Sequence, residues 1–289
     1  MVPQNHPFSI PKPLLLQKLR NYLNIDIGFG DLSSGLIPAD SLRSARIFAK
    51  SSGIVAGAEE ARLLFEDLGV QVVQEKYDGE SISKGENVFQ IEGNLRNILM
   101  IERTALDFLM ILSSIATSTH DLVSKVRAAQ FPTIIATTRK VTPGFGWFEK
   151  KAVFFGGGDT HRWNLSDMVM FKDTHLAFYG GDVSRLLLDA KKTISFSKKI
   201  EIELENSEDI IPAIESGADI IMLDNMSPDE IKKALSSLKI ARKGVLFEAS
   251  GNITPASILE YAQSGVDIIS TSSTVLQPHK HLDYSLRLL

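Results

Sequence analysis

Short apolar runs alternate with amphipathic helical patterns through the second half of the chain. Residues 200–204, 219–223, 245–249 and 266–270 read as strands, each a brief apolar run bounded by polar or glycine-containing turns. Between them, 207–216, 227–238 and 254–264 carry apolar positions at helical spacing. Ser227-Pro228 and Thr254-Pro255 each put a capping hydroxyl in front of proline, the pair favoured where a helix begins. The series opens at 133–137, after a long helical stretch over 95–129. Repeated strand–helix units predict a parallel sheet with right-handed crossovers, and their number and regularity point to a barrel. No internal sequence repeat is evident beyond this rhythm.

The texture upstream is different. Residues 45–50, 71–75 and 87–91 read as strands separated by glycine-containing turns, with a helix over 58–68. This predicts a separate α+β unit over about 1–107 and a barrel over 108–271. A tail from about 272 to 289 is expected to pack back on the first unit.

Composition narrows the functional classes. The 289 residues include no cysteine, which excludes disulfides, thiol nucleophiles and thiolate zinc sites. A formal net charge of −4 argues against general nucleic-acid binding. No apolar run approaches the roughly 20 residues that span a bilayer. The proline-rich opening lacks the apolar stretch of a signal peptide, so a cytoplasmic, membrane-free protein is expected.

In a parallel barrel, chemistry gathers where strands end. Thr138-Arg139-Lys140 follows the first strand, His161-Arg162 follows three glycines, and Lys172 follows Met168-Val169-Met170-Phe171. Glu201, Glu203 and Glu205 share one face of the next strand, and of these Glu203 is the candidate. Asp224-Asn225 and Ser250-Gly251-Asn252 end the two strands after it. Cations thus come first, carboxylates next, and a small-residue turn last. Arginine can grip a carboxylate with two parallel hydrogen bonds and lysine adds a point charge. Carboxylates can hold magnesium through water while the metal touches substrate phosphates. A Ser-Gly-Asn turn opening a helix offers free N–H groups to a phosphate. The layout suits an anionic planar ligand beside a magnesium-bound polyphosphate. A purely anion-binding regulatory barrel, the non-enzyme alternative, has no use for Glu203 and Asp224.

Nearly the whole chain resembles the quinolinate phosphoribosyltransferases. The resemblance runs through Asp26-Ile27-Gly28-Phe29-Gly30-Asp31, Glu102-Arg103-Thr104-Ala105-Leu106-Asp107 and Thr138-Arg139-Lys140-Val141-Thr142-Pro143-Gly144. It continues through Gly156-Gly157-Gly158-Asp159-Thr160-His161-Arg162, Leu223-Asp224-Asn225-Met226-Ser227-Pro228 and Glu248-Ala249-Ser250-Gly251-Asn252. It implies an open α/β barrel with an N-terminal sandwich domain, in a homodimer with shared sites, alone or within a higher oligomer. The implied substrates are quinolinate and phosphoribosyl pyrophosphate, with Mg2+ as cofactor and nicotinate mononucleotide, pyrophosphate and carbon dioxide as products.

By the same resemblance Thr138, Arg139, His161, Arg162 and Lys172 would surround quinolinate, joined by Arg103 from the partner subunit. Lys140 would sit between quinolinate and the phosphoribosyl group. Glu203 and Asp224 would face the ribose and the metal. Ser250, Gly251 and Asn252, with Thr271, Ser272 and Ser273, would hold the 5′-phosphate. Several positions depart from the family pattern. Thr137 stands where aspartate is common, Phe145-Gly146-Trp147 lacks a usual basic residue, and Trp163-Asn164 and Ser272 also differ. Thr137-Thr138-Arg139-Lys140 is similar to a sister family, the ModD proteins. A ModD-like or nicotinate-specific transferase is therefore the alternative enzyme.

Overall fold

The computed structural model describes residues 9–238 and 244–289; the opening residues 1–8, part of the stretch read above as lacking a leader, lie outside it. The chain forms two compact units. The first takes in the chain to His120, together with Lys151–Gly157 and Pro278–Leu289, and the second holds Asp121–Lys150 and Gly158–Gln277.

The first unit begins with helix α1 (Lys12–Ile27), whose start at Pro11-Lys12-Pro13 uses proline where the first amides need no partner. Strands β1 (Leu42–Ala49) and β2 (Gly53–Ile54), helix α2 (Ala58–Asp67), and strands β3 (Gln71–Gln74), β4 (Ser81–Ile82) and β5 (Asn87–Asn94) follow. The 34-residue helix α3 (Leu95–Ala128) then begins in this unit. In β1, Ala45, Ile47 and Ala49 are buried and their neighbours are not, the period-2 pattern of a sheet with one covered face.

The second unit runs β6 (Ile134–Ala136), α4 (Gly146–Phe155, its end in the first unit), β7 (Val169–Phe171), α5 (Asp173–Phe178), α6 (Val183–Thr193) and β8 (Ile200–Leu204). It continues with α7 (Ile210–Glu215), β9 (Ile220–Asp224), α8 (Pro228–Ser237), β10 (Leu246–Ser250), α9 (Ile258–Gln263), β11 (Ile268–Ser270) and α10 (Ser273–Leu276). The last strand, β12 (Tyr284–Leu288), belongs to the first unit. There it pairs antiparallel with β1, in a sheet ordered β12-β1-β5-β3.

Six parallel strands order as β6-β11-β10-β9-β8-β7. Read round a ring, this is chain order, with the last strand returning to the first and the ring left open between β6 and β7. Beside β6, the segment after α4 makes one parallel bridge, Ala136 to Asp159. The expected open barrel is what forms.

The two faces of this sheet differ completely. Ile202, Leu204, Ile221, Leu223, Phe247, Ala249 and Ile269 face the helices and are buried with Leu187, Ala213, Ile231 and Ile258. The alternate positions carry the polar groups, because successive side chains on a strand point to opposite faces. Apolar packing thus holds the sheet from outside and leaves the interior free for chemistry. No helix among the described residues is long and apolar enough to cross a membrane.

Candidate active site

Inside the barrel, a cavity of about 310 Å³ lies at the C-terminal strand ends. It is lined by Thr138, Arg139, Lys140, His161, Arg162, Lys172, Glu203, Asp224 and Ser250, all singled out in the sequence. Met170, Met222, Glu248 and Ser270 complete it. Gly251 and Asn252 follow β10, while Thr271, Ser272 and Ser273 follow β11. Arg103 stands on α3 in the first unit, exposed and 3.4 Å from Asp107 one helical turn on. A larger groove of about 600 Å³, with Phe171, Phe178, Tyr179 and Leu186 in its walls, contains none of the singled-out residues.

Two strand-end loops present the cations. Arg139 and Lys140 are exposed beyond β6, and the Thr138 hydroxyl accepts the Lys140 amide at 3.0 Å. Arg162 is 5% exposed and donates from Nη1 to the Met168 carbonyl at 3.2 Å. Both loops are tied to Lys150 on α4, whose buried ammonium donates to the carbonyls of Thr138 (3.0 Å) and Thr160 (2.7 Å). Burial pushes the Lys150 pKa down to about 8; Arg139 adds to the fall, and Asp159, Asp167 and Glu149 only partly offset it. Nothing in the sequence marked this lysine, because its position in a helix carries no strand-end signal.

The acidic side comes from β8 and β9. Glu203 accepts from the Lys172 ammonium at 2.5 Å. Asp224 is pushed above the usual carboxylate range, first by burial and then by the charges of Glu203 and Glu205. A cation there would relieve that repulsion, and carboxylate oxygens are the donors magnesium prefers, so the pair fits a magnesium site. Lys172, singled out as a quinolinate ligand, thus pairs with Glu203 in this structure.

The turns carry unusual backbone. Among the described residues, Gln130, His161, Asn225 and Asn252 are the non-glycine residues with positive φ, and the last three sit in strand-end turns of the barrel. Such conformations cost energy and collect at functional sites. The Asn225 amide donates to the Ser250 carbonyl at 2.9 Å, joining the turns after β9 and β10. Gly251 has φ +99°, and a Cβ there would lie 2.3 Å from Asn225 Oδ1. Only glycine fits both demands. The Thr271 hydroxyl accepts the Ser273 amide within its own turn at 3.1 Å and lies 2.9 Å from the Ile253 carbonyl in the segment after β10. Thr271 thus shapes the turn.

His161 meets two acids that the strand-end pattern does not single out. His161 Nε2 lies 3.0 Å from Glu201 Oε2 and 3.3 Å from Glu248 Oε2. Glu201 had been set aside in favour of Glu203 although both lie on one face. Glu248 falls within a strand and a family motif, with no role attached to it in the sequence.

The comparisons with known proteins agree along the whole chain. The quinolinate phosphoribosyl transferase N-terminal domain matches residues 27–113, and the C-terminal domain of the same name matches residues 115–287. The chain belongs to the quinolinate phosphoribosyl transferase family. A relative in Methanothermobacter thermautotrophicus, named probable nicotinate-nucleotide pyrophosphorylase (carboxylating), is 40% identical over 277 residues, covering 95% of this chain and 99% of its own. One of the same name in Archaeoglobus fulgidus is 40% identical over 263 residues, 90% of this chain and 99% of its own. The solved nicotinate-nucleotide pyrophosphorylase of Francisella tularensis superposes with a TM-score of 0.90 at 33% identity, covering 99% of this chain and 100% of that one. The family accounts for both units and for the open ring of six parallel strands.

Proposed function

We propose that this family member transfers the phosphoribosyl group of phosphoribosyl pyrophosphate to quinolinate, releasing pyrophosphate and carbon dioxide and forming nicotinate mononucleotide for NAD biosynthesis. The observation that carries the reading is one cavity with five cations, Arg139, Lys140, His161, Arg162 and Lys172, facing the carboxylates Glu203 and Asp224. Cations suit the two carboxylates of the pyridine. Ser250, Gly251 and Asn252, with the turn of Thr271, Ser272 and Ser273, suit the 5′-phosphate.

The roles follow from where charge moves. As the bond from the anomeric carbon to pyrophosphate breaks, positive charge develops on the ribose, as in glycoside cleavage. Glu203 and Asp224 oppose that charge. Magnesium, held by the same two residues partly through water and substrate, would neutralise the departing pyrophosphate. The pyridine nitrogen, oriented by the cations on its carboxylates, forms the new bond to the anomeric carbon. The ring is then cationic and accepts the electron pair left as the 2-carboxylate departs as carbon dioxide, and a proton takes the vacated position. Lys140, between the two substrates, steadies both.

In this reading the protein is a cytoplasmic homodimer, and Arg103 of each subunit completes its partner's quinolinate site. Incubating the protein with magnesium, phosphoribosyl pyrophosphate and either quinolinate or nicotinate tests the assignment. Nicotinate mononucleotide and carbon dioxide from quinolinate are expected. Transfer to nicotinate without carbon dioxide would instead establish the nicotinate-specific alternative. Binding without turnover would establish an anion-binding barrel, and a different phosphoribosyl acceptor would point to the ModD-like one.

A further inference from the structure

Glu201 on β8 and Glu248 on β10 are both 0% exposed, and β9 lies between their strands. Their side chains converge on one atom, His161 Nε2, at 3.0 and 3.3 Å. Glu201 Oε1 and both Glu248 oxygens have no hydrogen-bond partner, so the imidazole is the hydrogen-bonding group of Glu201 and the charge that faces Glu248. Burying two carboxylates against a single cation is costly, and a buried charge left unpaired costs several kcal/mol in proteins generally. Such an arrangement suggests work for the charge to do. Glu201 Oε2 lies at hydrogen-bond distance from the ring nitrogen, and Glu248 Oε2 adds its charge to the same nitrogen at 3.3 Å.

We infer that Glu201 and Glu248 are positioning residues: they fix His161 as an imidazolium through Nε2–H and leave Nδ1–H for one carboxylate of the substrate. The inference deepens the quinolinate reading of this cavity and rests on it. A neutral imidazole has one donor, on either nitrogen, whereas the imidazolium has two. With Nε2–H held by the acids, the other donor is fixed before substrate arrives, and its full charge is available.

The neighbouring charges make the two acids necessary. Arg162 on the same loop, Arg139 and Lys140 after β6, and Lys172 after β7 are all cations around this cavity and disfavour a charged histidine. Glu203 and Asp224 also line it, Glu203 already paired with Lys172. Burial also pushes the imidazolium pKa down, yet the hydrogen bonds and charges of Glu201 and Glu248 outweigh burial and hold it up at about 10. His161 is therefore charged throughout the physiological range and loses its proton only near the alkaline end.

Glu248→Gln keeps the shape and removes one of the two charges. Ring nitrogen shifts of 15N-histidine, with the His161 signal assigned through His161→Gln, report its protonation directly and need no substrate. In the wild type the signal should stay that of the imidazolium from pH 6 to 9. In Glu248→Gln, and further in Glu201→Gln/Glu248→Gln, deprotonation should move at least about one pH unit lower, since a neighbouring charge shifts a pKa by that order. Steady-state rates then test the use of that charge. At about pH 8 the double variant should show roughly tenfold higher KM for quinolinate, with KM for phosphoribosyl pyrophosphate and kcat little changed, and the defect should shrink at about pH 6. A His161 that titrates near 6.5 in the wild type, or does not move in the variants, overturns the inference. So does a KM defect independent of pH. Should the double variant not fold, Glu201→Gln alone and the wild-type titration still decide. A wild type that makes no product from quinolinate would sink the proposed function while leaving the histidine titration readable.

Discussion

The ammonium of Lys150 donates to two carbonyl oxygens, whereas Lys151, next in sequence, lies among Glu59, Glu60 and Asp78 at 2.5, 2.6 and 3.7 Å. The first lysine belongs to the barrel and the second to the other unit. Their linkage to pH runs in opposite directions. Lys151 is pushed up by its three acids, which more than offset burial. Lys150 has a folded pKa of about 8 against an ordinary lysine value of 10.5, so between those values the unfolded chain binds more protons and stability rises with pH. The shift corresponds to at most roughly 3 kcal/mol. A neutral amine still has two N–H groups for its two carbonyls, so deprotonation leaves the tether intact.

Lys150→Met should lose about 2 kcal/mol at pH 7, because two carbonyls lose their donor. The wild type should then gain further on the variant between pH 8 and 10. Urea unfolding of both proteins at several pH values measures this difference. The opposite contribution of His161, whose raised pKa loses stability as pH climbs towards 10, is common to both proteins and cancels. A gap that stays flat over that window would show that Lys150 is not the titrating group. Neither lysine was legible in the sequence. Arg139-Lys140 was, because a strand end gives a cation a meaning that a position along a helix does not.

At the scale of elements, two helix starts with one sequence signal behave differently. Ser227 caps α8: its side chain accepts the Glu230 amide and Glu230 reaches back to the Ser227 amide, a full capping box with Pro228 at the first position. At Thr254-Pro255 the Thr254 hydroxyl accepts the Ser257 amide at 3.4 Å and the Ser257 hydroxyl accepts the Thr254 amide at 3.1 Å, yet regular helix starts only at Ile258. The reciprocal pair closes a turn at 254–257 ahead of the helix, which the proline signal alone could not show. Ser227→Ala should therefore cost about 1 kcal/mol in urea unfolding and Thr254→Ala clearly less. Equal losses would mean that the Thr254–Ser257 pair caps α9 as fully as the box caps α8.

The elements also hold a repeat that the strand–helix rhythm concealed. Ser-Gly-Ala-Asp-Ile-Ile at 216–221 returns as Ser-Gly-Val-Asp-Ile-Ile at 264–269. Each glycine ends its helix with positive φ, Gly217 at 82° and Gly265 at 93°. Each aspartate then accepts the amide at or near the start of the preceding strand, Asp219 from Ile200 and Asp267 from Phe247, both at 2.8 Å. That is why β9 and β11 begin after the aspartate, slightly later than the apolar pattern suggested.

Over the whole molecule, strand winding was readable because every barrel strand next to its chain neighbour is a local consequence of strand–helix units. Where the ring opens was not, since β6 and β7 are three-residue strands with nothing in their sequence to say that they fail to meet. Subunit sharing of the site is a still longer-range matter, and it can be tested through Arg103. This arginine is exposed on α3, and among the described residues its ion pair is to Asp107 at 3.4 Å, a surface contact worth little. Its charge is thus free to serve a carboxylate elsewhere, and a cation delivered by a neighbour would help exclude water and strengthen its pull on the substrate. Arg103→Ala and Arg139→Ala should each be inactive as homodimers. Mixed in equal amounts and allowed to exchange, about half the dimers become mixed, and each of these holds one cavity with both arginines and one with neither. Activity should return to about a quarter of the wild-type value. If Arg103 served the cavity of its own subunit, every site in the mixed dimer would lack one arginine and the sample would stay inactive. Native mass spectrometry on the same mixture confirms that exchange took place, so recovered rate or continued silence distinguishes sharing between subunits from service within one.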